Sequence, residues 1–79
     1  MAAIGSLNRL QTLWREGLTV LGAIATIPSV ASVQLMARSG LDFILIDIEH
    51  GPIDAGTAHA MIAATAGSPL APLVRMTAS

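Results

Sequence analysis

The sequence predicts an α/β fold built on a parallel sheet, and three observations carry that prediction. The first is the segment Asp42–Pro52, DFILIDIEHGP, an apolar and largely β-branched run that stops at Asp47, Glu49 and His50 before Gly51-Pro52 turns the chain. A run of this kind reads as a strand buried on both faces, as in parallel sheets. The second is alternation: three strand-like runs are separated by segments of helical periodicity, giving helix, then β-α-β-α-β. Crossovers this short join parallel neighbours. The third is composition, 53% hydrophobic and 11% charged over 79 residues, which is too apolar for a disordered chain. So small a domain buries only roughly 60% of its unfolded surface. The apolar excess therefore fits a piece of a larger core better than a self-sufficient miniature.

Each element has local reasons. Ser6 can cap a helix from Leu7 to about Glu16 (residues 6–16 with the cap), with Leu7, Leu10 and Trp14 on one stripe and Gly17 as its stop. Trp14 is expected to serve packing. Val20–Ile27 reads as the first strand, ended by Pro28, which has no N–H to continue a ladder. Ser29 caps a helix to about Ser39, with Val30, Val33 and Ala37 inward and Gly40 as its stop. Leu41–Ile48 is the second strand. Phe43, Leu45, Asp47 and Glu49 alternate to one face, and Ile44, Ile46 and Ile48 to the other, which suits packing beneath helices. Asp54 caps a third helix to about Ala66, with Ala58, Met61, Ile62 and Thr65 inward. Gly67-Ser68-Pro69 breaks it, and Pro72–Met76 is a third strand with Leu73 and Arg75 on one face.

Composition excludes several functions. Net charge is −1, with four Arg, no Lys and no basic cluster, so there is no footprint for a phosphate backbone. One Trp, one Phe and no Tyr leave no platform for stacking bases. The absence of Cys rules out disulfides and thiolate metal sites. The absence of Lys rules out Schiff-base chemistry within this span. Arg9 and Arg15 ahead of the apolar stretch Leu18–Ile27, with Val30-Ala31-Ser32 after it, imitate an export signal. Glu16 interrupts the positive region, however, and the preceding helical periodicity is foreign to a signal, so a cytoplasmic location is expected. No apolar run approaches the ~20 residues of a membrane span.

The chemistry gathers at strand ends. His50 is the first candidate: an imidazole, with an ordinary pKa of about 6.5, moves protons at neutral pH. The plain alternative is a turn histidine satisfied by backbone, but its company of Asp47 and Glu49 at a strand's carboxyl end favours function. Asp47 and Glu49, two apart, can project into one cleft and hold a hard divalent cation directly or through water. They can equally serve as a cap acceptor and a solvated charge. Arg75, after an apolar approach, can stabilise an oxyanion or clamp a carboxylate, and it can also form an ion pair with Asp47 or Glu49. His59 lies off its helix's apolar stripe and reads as solvated. Arg9, Arg15 and Arg38 read as ordinary exposed helix charges. Ser68 beside Pro69 sits in a plain turn, and no Gly-rich phosphate loop, nucleophile elbow or HExxH occurs.

Residues 8–77 resemble the opening of the HpcH/HpaI aldolase/citrate lyase family, the class II, metal-dependent 2-oxo acid aldolases. Gly40-Leu41-Asp42-Phe43, Ile46-Asp47-Ile48-Glu49-His50-Gly51-Pro52 and Pro72-Leu73-Val74-Arg75 carry the match. The resemblance implies a (β/α)8 TIM barrel cleaving 4-hydroxy-2-oxo acids to pyruvate, or a related 2-oxo acid, and an aldehyde. It implies a divalent cation (Mg, Mn or Co) as Lewis acid, with its ligands downstream and none in this chain. His50 corresponds to the family's acid/base and Arg75 to its transition-state arginine, while Asp47 and Glu49 match supporting acids. A homo-oligomer, often hexameric, is also implied, with a small 2-oxo acid as substrate; from composition, no nucleic-acid or membrane partner is expected. A complete barrel takes about 250 residues, so this chain supplies roughly a third of one and alone is expected to be inactive and incompletely folded. The alternatives are a citrate-lyase-like or oxaloacetate-decarboxylating enzyme on the same scaffold, and a truncated, non-catalytic fragment of such a barrel.

Overall fold

Three parallel strands form one sheet in the order β1 (Gly22–Ala25), β2 (Phe43–Asp47), β3 (Ala71–Arg75). In this computed structural model residues 2–50 and 52–76 are described, with side chains from residue 5 onward. Helix α1 (Ala2–Arg15) precedes β1, α2 (Val30–Met36) joins β1 to β2, and α3 (Ala55–Ala63) joins β2 to β3. Both pairings are parallel, with Ala25 opposite Ile46, and Ile46 opposite Val74. The expected order of elements is therefore present. Gly51, the first half of the expected Gly-Pro turn, lies outside the described residues.

The caps explain where the helices begin. Ser29 is extended, and its hydroxyl accepts the Ser32 N–H at 3.1 Å. Asp54 does the same for α3, accepting the Thr57 N–H at 2.7 Å. Gly17 and Gly40 follow α1 and α2 at φ 72° and 88°, the left-handed region that disfavours side chains and ends a helix. Helices α2 and α3 nonetheless stop at Met36 and Ala63, short of the expected Ser39 and Ala66, because their last turns tighten into i→i+3 bonds such as Ser39 N–H to Met36 and Thr65 N–H to Ile62.

Strand alternation then divides the sheet. Ala25, Ile44 and Ile46 face α2 and α3, burying themselves with Val33, Ile53, Ala58, Met61 and Leu70. Full burial of each large apolar side chain contributes about 1.5–3 kcal/mol, so this face holds the module together. On the opposite face, register aligns Ile24, Leu45 and Leu73 in one row, and Ile24 is 61% exposed. An apolar row left open on a sheet face is the surface that closure of a barrel covers.

Two expectations about α1 are corrected. The helix begins at Ala2, so Ser6 lies within it and is buried rather than capping it. The preceding Ala2-Ala3 pair favours helix, and a single glycine at position 5 does not break it. The buried stripe is also rotated: Ser6 and Leu10 are buried and Leu13 partly so, while Leu7 is exposed and Trp14 is 56% exposed. Positions 6, 10 and 13 keep helical spacing, so the period was legible but its phase was not.

That rotation turns Arg9 toward the sheet, correcting its reading as an ordinary surface charge. Its guanidinium meets the Asp42 carboxylate at 2.9 Å. Asp42 also accepts the Leu21 N–H through its side chain at 2.9 Å, donates its own N–H to the Leu21 carbonyl at 2.7 Å, and accepts the Ala71 N–H at its carbonyl at 3.0 Å. One residue thus joins the amino ends of all three strands to α1. Because the carboxylate occupies the Leu21 N–H, β1 starts at Gly22 rather than Val20. The Phe43 ring lies directly over Gly22, in the space a β-carbon would fill.

Candidate active site

The opposite, carboxyl edge of the sheet carries the ionisable residues. Pairing of β2 with β3 places Asp47 opposite Arg75, and one further backbone bond, Ile48 N–H to the Arg75 carbonyl at 3.1 Å, extends the ladder past the strand's end. The chain then bends through Glu49 and His50 under the control of Asp47. Its Oδ1 accepts the backbone N–H of Glu49 at 3.0 Å and of His50 at 3.1 Å, an Asx-type turn that replaces the lost ladder bonds. Asp47 is only 4% exposed. Burial alone would raise its pKa, but the N–H donors of His50 and Glu49, together with the His50 ring, outweigh that and hold it below the usual value. It is a fixed anion at neutral pH.

His50 sits between two carboxylates. Its Nδ1 lies 3.4 Å from Asp47 Oδ2, and its Nε2 lies 3.3 Å from Glu49 Oε1. The second oxygen of Glu49 reaches Arg75 Nε at 3.8 Å. The four expected residues therefore form one chain of contacts: Asp47, His50, Glu49, Arg75. Of the two ion-pair partners open to Arg75 in the sequence, the structure selects Glu49, since the Asp47 oxygens face the turn and the imidazole. His50 and Arg75 stand at an open edge, with side chains 58% and 49% exposed. The larger groove, lined by Gln34, Arg38 and Ser68, and the small apolar cavity beside Thr26, Val33 and Met61 touch neither of them.

Among the described residues no three His, Asp or Glu side chains converge to hold a metal ion. Asp47 has both oxygens engaged, which leaves it poorly suited to a cation. His59 is exposed on α3, as expected. Also among these residues, no helix is long and apolar enough to cross a membrane. Asp42 is the residue whose importance sequence reasoning missed. The available signal was an acid at the head of an apolar run, which must find a partner once buried.

Parallel strands joined by helices, with an imidazole, a guanidinium and two carboxylates at adjoining carboxyl ends, define the class as α/β of the TIM-barrel type, with the ionisable groups at the edge where such barrels place their sites. Relatives agree. The hydroxypyruvate/pyruvate aldolase of Rhizorhabdus wittichii is 32% identical over 69 residues, 87% of this chain and 28% of that protein. The enzyme of the same name from Sagittula stellata is 37% identical over 68 residues, 86% of this chain and 27% of that protein. Among solved structures, the citrate synthase SbnG superposes with a TM-score of 0.78 at 35% identity, covering 87% of this chain and 28% of that one. A variant of SbnG gives 0.76 at 34%, covering 86% and 30%. No family model matches the chain. Over most of its own length the chain is similar to these aldolases and to SbnG, consistent with the N-terminal portion of an HpcH/HpaI-like TIM barrel, and it spans little more than a quarter of the length of these relatives.

Proposed function

We propose that the protein carrying this chain is a class II, metal-dependent aldolase that cleaves a 4-hydroxy-2-oxo acid into pyruvate and an aldehyde. The observation that carries the reading is the linkage of His50 and Arg75 through Glu49 at adjoining strand ends. The aldolase names of the relatives support it. In cleavage, His50 takes the proton of the 4-hydroxyl, the C3–C4 bond breaks to release the aldehyde, and its electron pair enters the 2-oxo acid as an enolate. Arg75 holds the developing oxyanion. Asp47 holds the imidazole in place, and its anion favours the tautomer with Nδ1 protonated, leaving Nε2 as the base. The described residues form no cage for the divalent cation implied by the resemblance; held by residues downstream, it would supply Lewis-acid polarisation of the 2-oxo group.

Metal-dependent pyruvate release from a 4-hydroxy-2-oxo acid by the full-length protein tests this. His50→Ala and Arg75→Ala should each lower kcat on the order of 100-fold or more while retaining metal binding. Loss of metal affinity in both variants would contradict the assigned roles. A second reading is favoured by the superposition on a protein named citrate synthase: the same edge could stabilise the enolate of an acyl thioester. Citrate formation from oxaloacetate and an acetyl thioester, without pyruvate release, would select it.

A further inference from the structure

The base and the oxyanion arginine are spanned by one side chain. Glu49 presents Oε1 to His50 Nε2 at 3.3 Å and Oε2 to Arg75 Nε at 3.8 Å. A carboxylate facing both groups lies where the anionic oxygens of a 2-oxo acid would have to sit. The contact to Nε2 is attractive only while that nitrogen carries a proton, whereas a general base needs it unprotonated and free. Resting contacts and catalysis are therefore in competition.

We infer that Glu49 is an internal placeholder for the substrate anion, occupying the His50–Arg75 gap in the empty site and withdrawing when a 2-oxo acid arrives. The inference rests on the proposed lyase reading for the identity of the anion. Three features make displacement easy. The Glu49 side chain is one-third exposed, at 33%. Its distances to both partners are long, and an exposed pair of this kind contributes little. Among the described residues, moreover, Glu49 is joined to the turn by its backbone N–H on Asp47, so its side chain can leave without undoing the turn that positions His50. An incoming carboxylate can bind Arg75 with two parallel bonds, which a single contact at Nε does not match.

Glu49→Gln in the metal-loaded full-length protein is the test, read by pyruvate binding in calorimetry and by steady-state cleavage. Removing the competing charge should tighten pyruvate about two- to five-fold and lower KM to match, without raising kcat. Glu49→Asp, too short to span both partners, should fall between wild type and Glu49→Gln. A residue that only positions His50 would instead lower kcat and leave pyruvate affinity unchanged, and that result, or weaker binding in both variants, overturns the inference. Circular dichroism of each variant distinguishes lost affinity from lost fold. Tighter pyruvate binding in a protein that cleaves no 4-hydroxy-2-oxo acid would sink the lyase reading while leaving the placeholder standing.

Discussion

At the scale of single residues, two aspartates do opposite jobs at opposite ends of one strand. Asp47 shapes the carboxyl edge: it takes two backbone N–H groups and faces the imidazole. Asp47→Asn keeps an oxygen for the turn but loses the anion beside Nδ1. It should lower kcat on the order of ten- to a hundred-fold with unchanged circular dichroism, as loss of an outer-sphere histidine partner does elsewhere. Asp42 organises the amino edge. The Leu21 N–H and then the Arg9 guanidinium hold its carboxyl below the ordinary value of 3.8, against a smaller opposing effect of burial. A depressed pKa means that its contribution to stability is complete above 3.8 and is lost as pH falls through the lower folded value. Asp47 and Asp54 are lowered too, so acid unfolding should steepen beneath that point. Denaturant midpoints measured from pH 5 down to pH 2 should fall less steeply for Asp42→Asn than for the wild type. The grouping of the candidate residues was legible in the sequence because three of them cluster within four positions, Asp47 to His50, and because Arg75 closes an apolar run. The Arg9–Asp42 pair was not, because its members are brought together only by the rotation of α1.

At the scale of elements, what is encoded locally was readable and what depends on packing was not. Ser29 and Asp54 cap their helices as their side-chain chemistry dictates, and the β2 alternation sorts Ile44 and Ile46 from Phe43 and Leu45. The phase of α1 is set instead by which side meets the sheet, so Trp14 ended outside despite its size. Met61 joins α3 to the sheet and is fully buried among Ile44, Ile46 and Val33. Met61→Ala should destabilise the protein by about 2–5 kcal/mol in chemical denaturation, leaving the carboxyl edge intact. Gly22→Ala should cost about 1–3 kcal/mol, because the new methyl enters the space of the Phe43 ring. A double variant, Gly22→Ala with Phe43→Leu, should recover part of that loss. Additive losses would show that the ring is not the obstacle.

At the scale of the molecule, the sheet is finished on one face and open on the other. Ile24, Leu45 and Leu73 form an apolar row opposite the helices, and relatives match over about 28% of their own length. The 79-residue segment produced alone should therefore bind a hydrophobic dye, lack a cooperative melt and release no pyruvate. A sharp thermal transition together with turnover would show that the segment is self-sufficient. The central claim, however, is that the imidazole at 50 and the guanidinium at 75 act on one transition state. A double-mutant cycle on kcat/KM in the full-length protein, combining His50→Ala with Arg75→Ala, measures this directly. If both serve the same bond cleavage, the double variant should be scarcely slower than the worse single one. Losses that multiply in full would mean that the two groups act independently, and the shared site would be contradicted.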